Sequence, residues 1–252
     1  MTIRWTTILL DFPADVLDAA NAFWPNVTGT TMSTPWSGHP EFASLVPGHG
    51  DPYLALQRLE DGAARVHPDF HVDDLDAEAS RAIALGAAKT REEPGLVVLA
   101  SPTGLPFCLV RHGRGQSEVP PPTARDGQAS RLDQLCIDVP PEAFDRELAF
   151  WTGFTDWPRS SSDTHEFRRL LPPPGLPVHF LLQRLDTAAP DQSTSAHLDF
   201  SCADVEAEAD RHTATGAARV RRHRHWQVMR DPAGLEYCLT DKPPDGSWVP
   251  NA

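Results

Sequence analysis

Residues His197–Thr240 read HLDFSCADVEAEADRHTATGAARVRRHRHWQVMRDPAGLEYCLT, and His67–Val110 read HPDFHVDDLDAEASRAIALGAAKTREEPGLVVLASPTGLPFCLV. The two windows share 19 of 44 positions without a gap, so the chain is an internal duplication. Each window parses alike. His197–Ser201 alternates as a half-buried strand does. Asp204 caps a helix reaching about Thr215, with Glu206 and Glu208 in its first turn and Gly216 as its left-handed stop. A strand is expected near Trp226–Met229. Asp231-Pro232-Ala233-Gly234 carries the residues of a type I turn. Leu235–Thr240 closes the unit as a strand.

The repetition extends outward. Residues 3–10 predict a strand, and Pro13 opens a helix with Val16, Leu17, Ala20, Phe23 and Trp24 at helical spacing. Glu41–Val46 and Tyr53–Leu59 predict two more strands. Residues 113–128, GRGQSEVPPPTARDGQ, lack a hydrophobic pattern and read as a connection. Leu132–Val139 then starts the second copy, with a helix bearing Phe144, Leu148 and Trp151. EFRRLL at 166–171 echoes EFASLV at 41–46, and LLQRL at 181–185 echoes LALQRL at 54–59. Two domains follow, residues 1–115 and 129–245, joined by 116–128. Each has the order βαβββ–βαβββ.

Composition sets bounds. The 252 residues suit two domains of about 120 better than one. A net charge of −13 argues against nucleic acid or an anionic membrane as partner. No apolar run nears the roughly 18 residues of a membrane span, and Asp11 breaks any signal-like run, so a cytoplasmic protein is expected. Cys108, Cys136, Cys202 and Cys238 form no CxxC pair and read as reduced strand thiols, a metal or catalytic role being the alternative. There is no glycine-rich phosphate loop, no GxSxG and no HExxH.

LLQRL, HLDF, the Asp-led helix ending LGAA or TGAA, and DPAGLEYCL together resemble the vicinal oxygen chelate superfamily, which includes glyoxalase I, bleomycin-resistance proteins and extradiol dioxygenases. The likeness spans nearly all of both halves and is closest to its glyoxalase-like domains. It implies an α+β fold: two tandem domains, each a pair of βαβββ units forming a cup-shaped mixed sheet with helices on the outer face. The concave side would line a pocket.

Strand alternation assigns faces independently. Leu235, Tyr237 and Leu239 go under a helix, leaving Glu236, Cys238 and Thr240 on the other face. Leu198 and Phe200 likewise leave His197, Asp199 and Ser201. Leu135, Ile137 and Val139 leave Gln134, Cys136 and Asp138. Gln183 accompanies Leu181 and Leu185. In metal-dependent relatives the ligands come from the first, fourth, fifth and eighth strands. The resemblance carries those roles to Gln134, Gln183, His197 and Glu236, with zinc, nickel, manganese or iron as the metal. Glu236 would ligate or shuttle a proton and His197 would act with it. Cys136, Asp199, Cys238 and Trp157 would line the substrate pocket. The competing readings are a strand histidine bonded across the sheet at His197 and His67, a solvated carboxylate at Glu236, and neutral edge amides at Gln57 and Gln183.

The matching positions of the first half are Thr7, Gln57, His67 and Pro106. Proline cannot ligate and threonine is a poor donor, so no metal is expected at that site. The run Arg221, Arg222, His223, Arg224, His225 reads as a solvated loop, with an anion-binding rim as the alternative. Trp24, Trp151 and Trp226 read as core or pocket wall, and Trp36 and Trp157 as covers of the cup mouth. Two functions follow. One is a metal-dependent lyase, isomerase or dioxygenase acting on a small oxygenated metabolite in the second cup. The other is a metal-free protein binding a metabolite or antibiotic, as bleomycin-resistance proteins do. The partner is a small molecule, and the chain is a pseudo-twofold monomer or a homodimer.

Overall fold

The computed structural model describes residues 3–113, 115–125, 127–161, 164–189 and 191–247. The first half runs β1 (Ile3–Pro13), α1 (Leu17–Thr28), β2 (Thr31–Met32), β3 (Phe42–Val46), β4 (Leu54–Leu59), β5 (Arg65–Val72), α2 (Leu75–Ala84), β6 (Ala88–Glu93), β7 (Leu96–Ala100) and β8 (Pro106–Arg111). A short strand, β9 (Thr123–Arg125), lies in the connection. The second half runs β10 (Gln128–Val139), α3 (Phe144–Thr155), β11 (Phe167–Leu170), β12 (His179–Arg184), β13 (Ser195–Cys202), α4 (Val205–Ala214), β14 (Ala218–Arg222), β15 (Trp226–Arg230) and β16 (Glu236–Thr240).

Each half builds one mixed sheet. Its order is β2-β3-β4-β1-β5-β8-β7-β6 in the first and β11-β12-β10-β13-β16-β15-β14 in the second, with β9 pairing β10. The two βαβββ units of a half meet at an antiparallel seam, β1 on β5 and β10 on β13. Parallel pairs flank the seam, β1 with β4 and β5 with β8, and β10 with β12 and β13 with β16. The first strand of each unit thus sits in the middle of the sheet, where polar side chains from four strands converge on the face away from the helices.

Local signals behave as the sequence implies. Asp204 accepts from the backbone N–H groups of Glu206 and Ala207, and Asp74 from that of Ala77, so both helices begin on an aspartate cap. Gly216 has φ +111°. Asp231 Oδ1 accepts from Ala233 and Leu235, fixing the turn before β16. Two segments differ from expectation. Arg221 and Arg222 belong to β14 rather than to a loop. This outermost strand is exposed along its whole length, so it shows no alternation of burial to read. The connection is also pinned to the first half. Asp51 accepts from the backbone of Ser117 and Glu118, and Thr123 Oγ1 donates to the carbonyl of Thr28.

The helices lie on the outer faces, and the two outer faces are pressed together into one continuous apolar core. α1 inserts Phe23 and Trp24 against His212 and Tyr237 of the second half. α3 inserts Phe150, Trp151 and Phe154 against Phe70 and Phe107 of the first. Polar contacts repeat the exchange. Arg211 donates to the last-turn carbonyls of Asn26 and Val27, and Arg81 to those of Gly153 and Phe154. Full burial of each aromatic contributes about 1.5–3 kcal/mol against about 1 for a typical hydrogen bond, so the exchanged rings dominate the contact.

Candidate metal centre and binding hollow

The concave face of the second sheet holds a hollow of about 280 Å³. Its floor is Gln134 and Cys136 on β10, Leu181 and Gln183 on β12, His197 and Asp199 on β13, and Cys238 and Thr240 on β16. Strand alternation had placed those of β10, β13 and β16 on one face and left Gln183 among mixed neighbours, and the sheet brings them all together. Phe167, Arg169, Trp226 and Lys242 form the rim. A wider vestibule adjoins it, sharing Gln183, His197, Trp226 and Cys238 and reaching Asp138, Glu166 and Glu236.

His197 is the centre of the floor. Its Nδ1 lies 2.7 Å from Asp138 Oδ2 and its Nε2 lies 3.3 Å from Asp199 Oδ1. Burial opposes a charge on this ring. The carboxylate of Asp138 outweighs it and holds the imidazole pKa well above its ordinary value. Burial pushes the Cys238 thiol up to about 11 and raises that of Cys136 further. Asp199 Oδ1 is buried without a hydrogen-bond partner. One ligand atom each from Cys136, His197 and Asp199 lies within 4.8 Å of the others. Sulfur, imidazole nitrogen and carboxylate oxygen are the donor types of a zinc-like ion. The orphaned oxygen gives that ion a reason to be there.

The ligand set carried over from relatives fits less well. Gln134 donates to Asp199 Oδ2, while its Oε1 meets Lys242 Nζ at 2.8 Å and His179 Nε2 at 2.9 Å, so its oxygen is fully engaged. Gln183 donates to Glu166 Oε1 and accepts from the Cys136 thiol. Glu236 stands at the vestibule beside His197, but its half-exposed carboxylate is paired with Arg230 at 2.6 Å. It takes that direction because Arg230 is its cross-strand partner. Trp157 corrects expectation outright: it is buried against Phe180, 5.1 Å away edge-on, and does not line the hollow. Asp156 just before it has φ +56°, which turns the chain so that Trp157 folds under the sheet. Trp36 stacks on Phe42 at the surface of the first half.

Lys242, Arg169 and His179 were not singled out from sequence. Lys242 continues the alternation Glu236, Cys238, Thr240 by one further step, a signal that was present. Burial lowers the Lys242 pKa. Burial, helped by Lys242 and Arg169, keeps His179 neutral.

The first half repeats the arrangement. His67 Nδ1 lies 3.0 Å from Asp11 Oδ2, and His67 Nε2 lies 3.3 Å from Asp69 Oδ1. Cys108 stands where Cys238 does, and Leu9 where Cys136 does. Of the positions matched to relatives, Thr7 instead bonds His71, at 2.9 Å.

A twofold-repeated βαβββ pair with a polar floor at the central strands defines the vicinal oxygen chelate fold. The family model described as "Glyoxalase-like domain" matches residues 7–110 and 134–240, and the chain belongs to that family. Among solved structures it is similar to a mutant of 4-hydroxymandelate synthase from Streptomyces coelicolor, at 16% identity over 94% of this chain and 92% of that one, TM-score 0.61. It is also similar to the Mn(II)-bound glyoxalase from Novosphingobium aromaticivorans, at 16% identity over 93% and 80%, TM-score 0.61. A third is 2,2',3-trihydroxybiphenyl 1,2-dioxygenase from Sphingomonas wittichii, at 15% identity over 95% and 90%, TM-score 0.59. No curated protein matches the sequence at a significant level. No helix among the described residues is long and apolar enough to cross a membrane.

Proposed function

We propose that the second half is a metal-assisted enzyme site for a small oxygenated metabolite. The observation that carries this is Asp199 Oδ1, buried without a hydrogen bond, 3.3 Å from His197 Nε2 and close to Cys136 at the floor of a hollow. Those three residues would hold the ion, which when bound supplies Lewis acidity to adjacent substrate oxygens. Asp138 fixes the ring of His197 so that Nε2 faces the hollow. Phe167 and Trp226 give a flat ligand apolar walls, and Arg169 and Lys242 at the rim draw in an anionic oxygen. Glu236, at the vestibule, would exchange a proton with solvent once it leaves Arg230. The Mn(II)-bound glyoxalase and the dioxygenase among the similar folds agree with a metal-dependent reading. Metal analysis of protein purified without a nickel column tests it. His197→Ala and Cys136→Ser should each lower the bound metal. Unchanged metal content in both variants overturns the proposal.

A metal-free binding role is the second reading, and the engaged amide of Gln134 favours it. Thermal-shift screening with and without chelator separates the two: small acidic or antibiotic ligands should stabilise the fold with chelator present under this reading, whereas under the first, stabilisation should require added metal and be abolished by chelator.

A further inference from the structure

We infer that the first half holds a second divalent-cation site of its own, buried and structural, formed by His67, Asp69 and Cys108. One ligand atom from each lies within 4.8 Å of the others, and all three residues are buried. Of the positions that relatives would use, His67 is present, whereas Pro106 offers no donor and Thr7 is bonded to His71. The donors instead come from β5 and β8, whose register sets Asp69 directly beside Cys108.

Three features point to an ion rather than to a plain ion pair. Asp69 Oδ1 is buried without a hydrogen-bond partner, although it lies 3.3 Å from the ring nitrogen of His67. The far nitrogen of that ring is held by Asp11 at 3.0 Å, the carboxylate–histidine pairing that orients a metal-bound imidazole. Arg65 Nε donates to the same Asp11 oxygen at 2.9 Å and holds it in place. A cation on Nε2, Asp69 Oδ1 and Cys108 Sγ would satisfy the orphaned oxygen and match the nitrogen, oxygen and sulfur donors zinc takes. Leu9 fills the space that Cys136 fills in the second half, so this site has one thiol fewer. His67, Asp69 and Cys108 are all under a tenth exposed, and the site's role is to brace the seam between β1, β5 and β8.

Cobalt(II) reports the thiolate bond directly, through a sulfur-to-metal charge-transfer band in the near ultraviolet. Full-length protein is stripped with chelator and reloaded with cobalt. The double variant Cys136→Ser/Cys238→Ser, which removes the thiols of the second hollow, should keep the band and about half the bound metal. Cys108→Ser should lose one equivalent per chain, as should Asp69→Asn, which preserves size and tests the site if the serine variant folds poorly. Loss of the band in the double variant, or unchanged metal content in both Cys108→Ser and Asp69→Asn, overturns the inference. If the second hollow holds no metal, the double variant keeps all of the bound metal and Cys108→Ser loses all of it, which overturns the proposed function and leaves this site standing.

Discussion

Leu9 and Cys136 hold the same register position in their two sheets, each directly opposite the histidine at the centre of the floor, Leu9 facing His67 and Cys136 facing His197. One side chain thus separates a floor with a thiol on β10 from one without. Cys136→Leu should make the second floor resemble the first. Metal affinity of the second half is expected to fall by at least roughly tenfold, the scale reached by altering even a partner of a ligand. Competition with a chromophoric chelator measures it, and an unchanged affinity would remove Cys136 from the ligand set.

Asp133 is buried, and burial pushes its pKa up to about 6 despite nearby Arg131 and a hydroxyl bond from Ser201. The folded state therefore holds this proton more tightly than the unfolded chain. Stability contributed by the protonated form is present below about pH 4 and is lost as pH rises through about 6. Asp133→Asn keeps an acceptor for Ser201 and removes the charge. It should raise stability at pH 7 by up to about 3 kcal/mol and flatten the profile between about pH 4 and 6. Urea unfolding across that range checks both, and a variant less stable than the parent at neutral pH contradicts the assignment.

Trp24 donates its indole N–H to Asp231 Oδ2 at 2.9 Å, across the contact between halves. Trp24→Phe retains most of the apolar surface and leaves that buried oxygen short of a donor. The expected loss is about 1–3 kcal/mol in a single unfolding transition. A second transition, with one half melting first, would show that the shared core does not couple them.

The helices α1 and α3 end on residues of unequal ease. Gly29 has φ +71°, and a Cβ there would come 2.5 Å from Thr123 Cγ2. Asp156 at the matching end has φ +56°. Gly29→Ala should cost at least about 1 kcal/mol, and Asp156→Gly should stabilise by up to about 1 kcal/mol. Melting temperatures of opposite sign check the pair.

The architecture was legible because the duplication exposes itself: two gapless copies with aspartate caps and a conserved turn leave few topologies. Alternation then assigned Gln134, Cys136, His197, Asp199 and Cys238 to one face, and all five line the hollow, joined by Gln183, which alternation left among mixed neighbours. What a strand pattern cannot carry is where a side chain points after its Cβ. Glu236 is on the expected face, yet Arg230 on the neighbouring strand takes its carboxylate. Gln134 reaches the floor, yet Lys242 and His179, distant in sequence, occupy its oxygen. Trp157 was misplaced by a single left-handed residue before it. In the first half, attention to the positions of relatives hid a donor trio lying on alternate residues of β5 and on β8.

The crossed helices carry a further consequence. A fragment cut at the connection would own an aromatic plug with nothing to fill and a socket left open to water. Two identical fragments can close each other by the same swap, about a true rather than an approximate twofold axis. Expression of either half alone should accordingly yield a dimer, and a folded monomeric fragment should not accumulate.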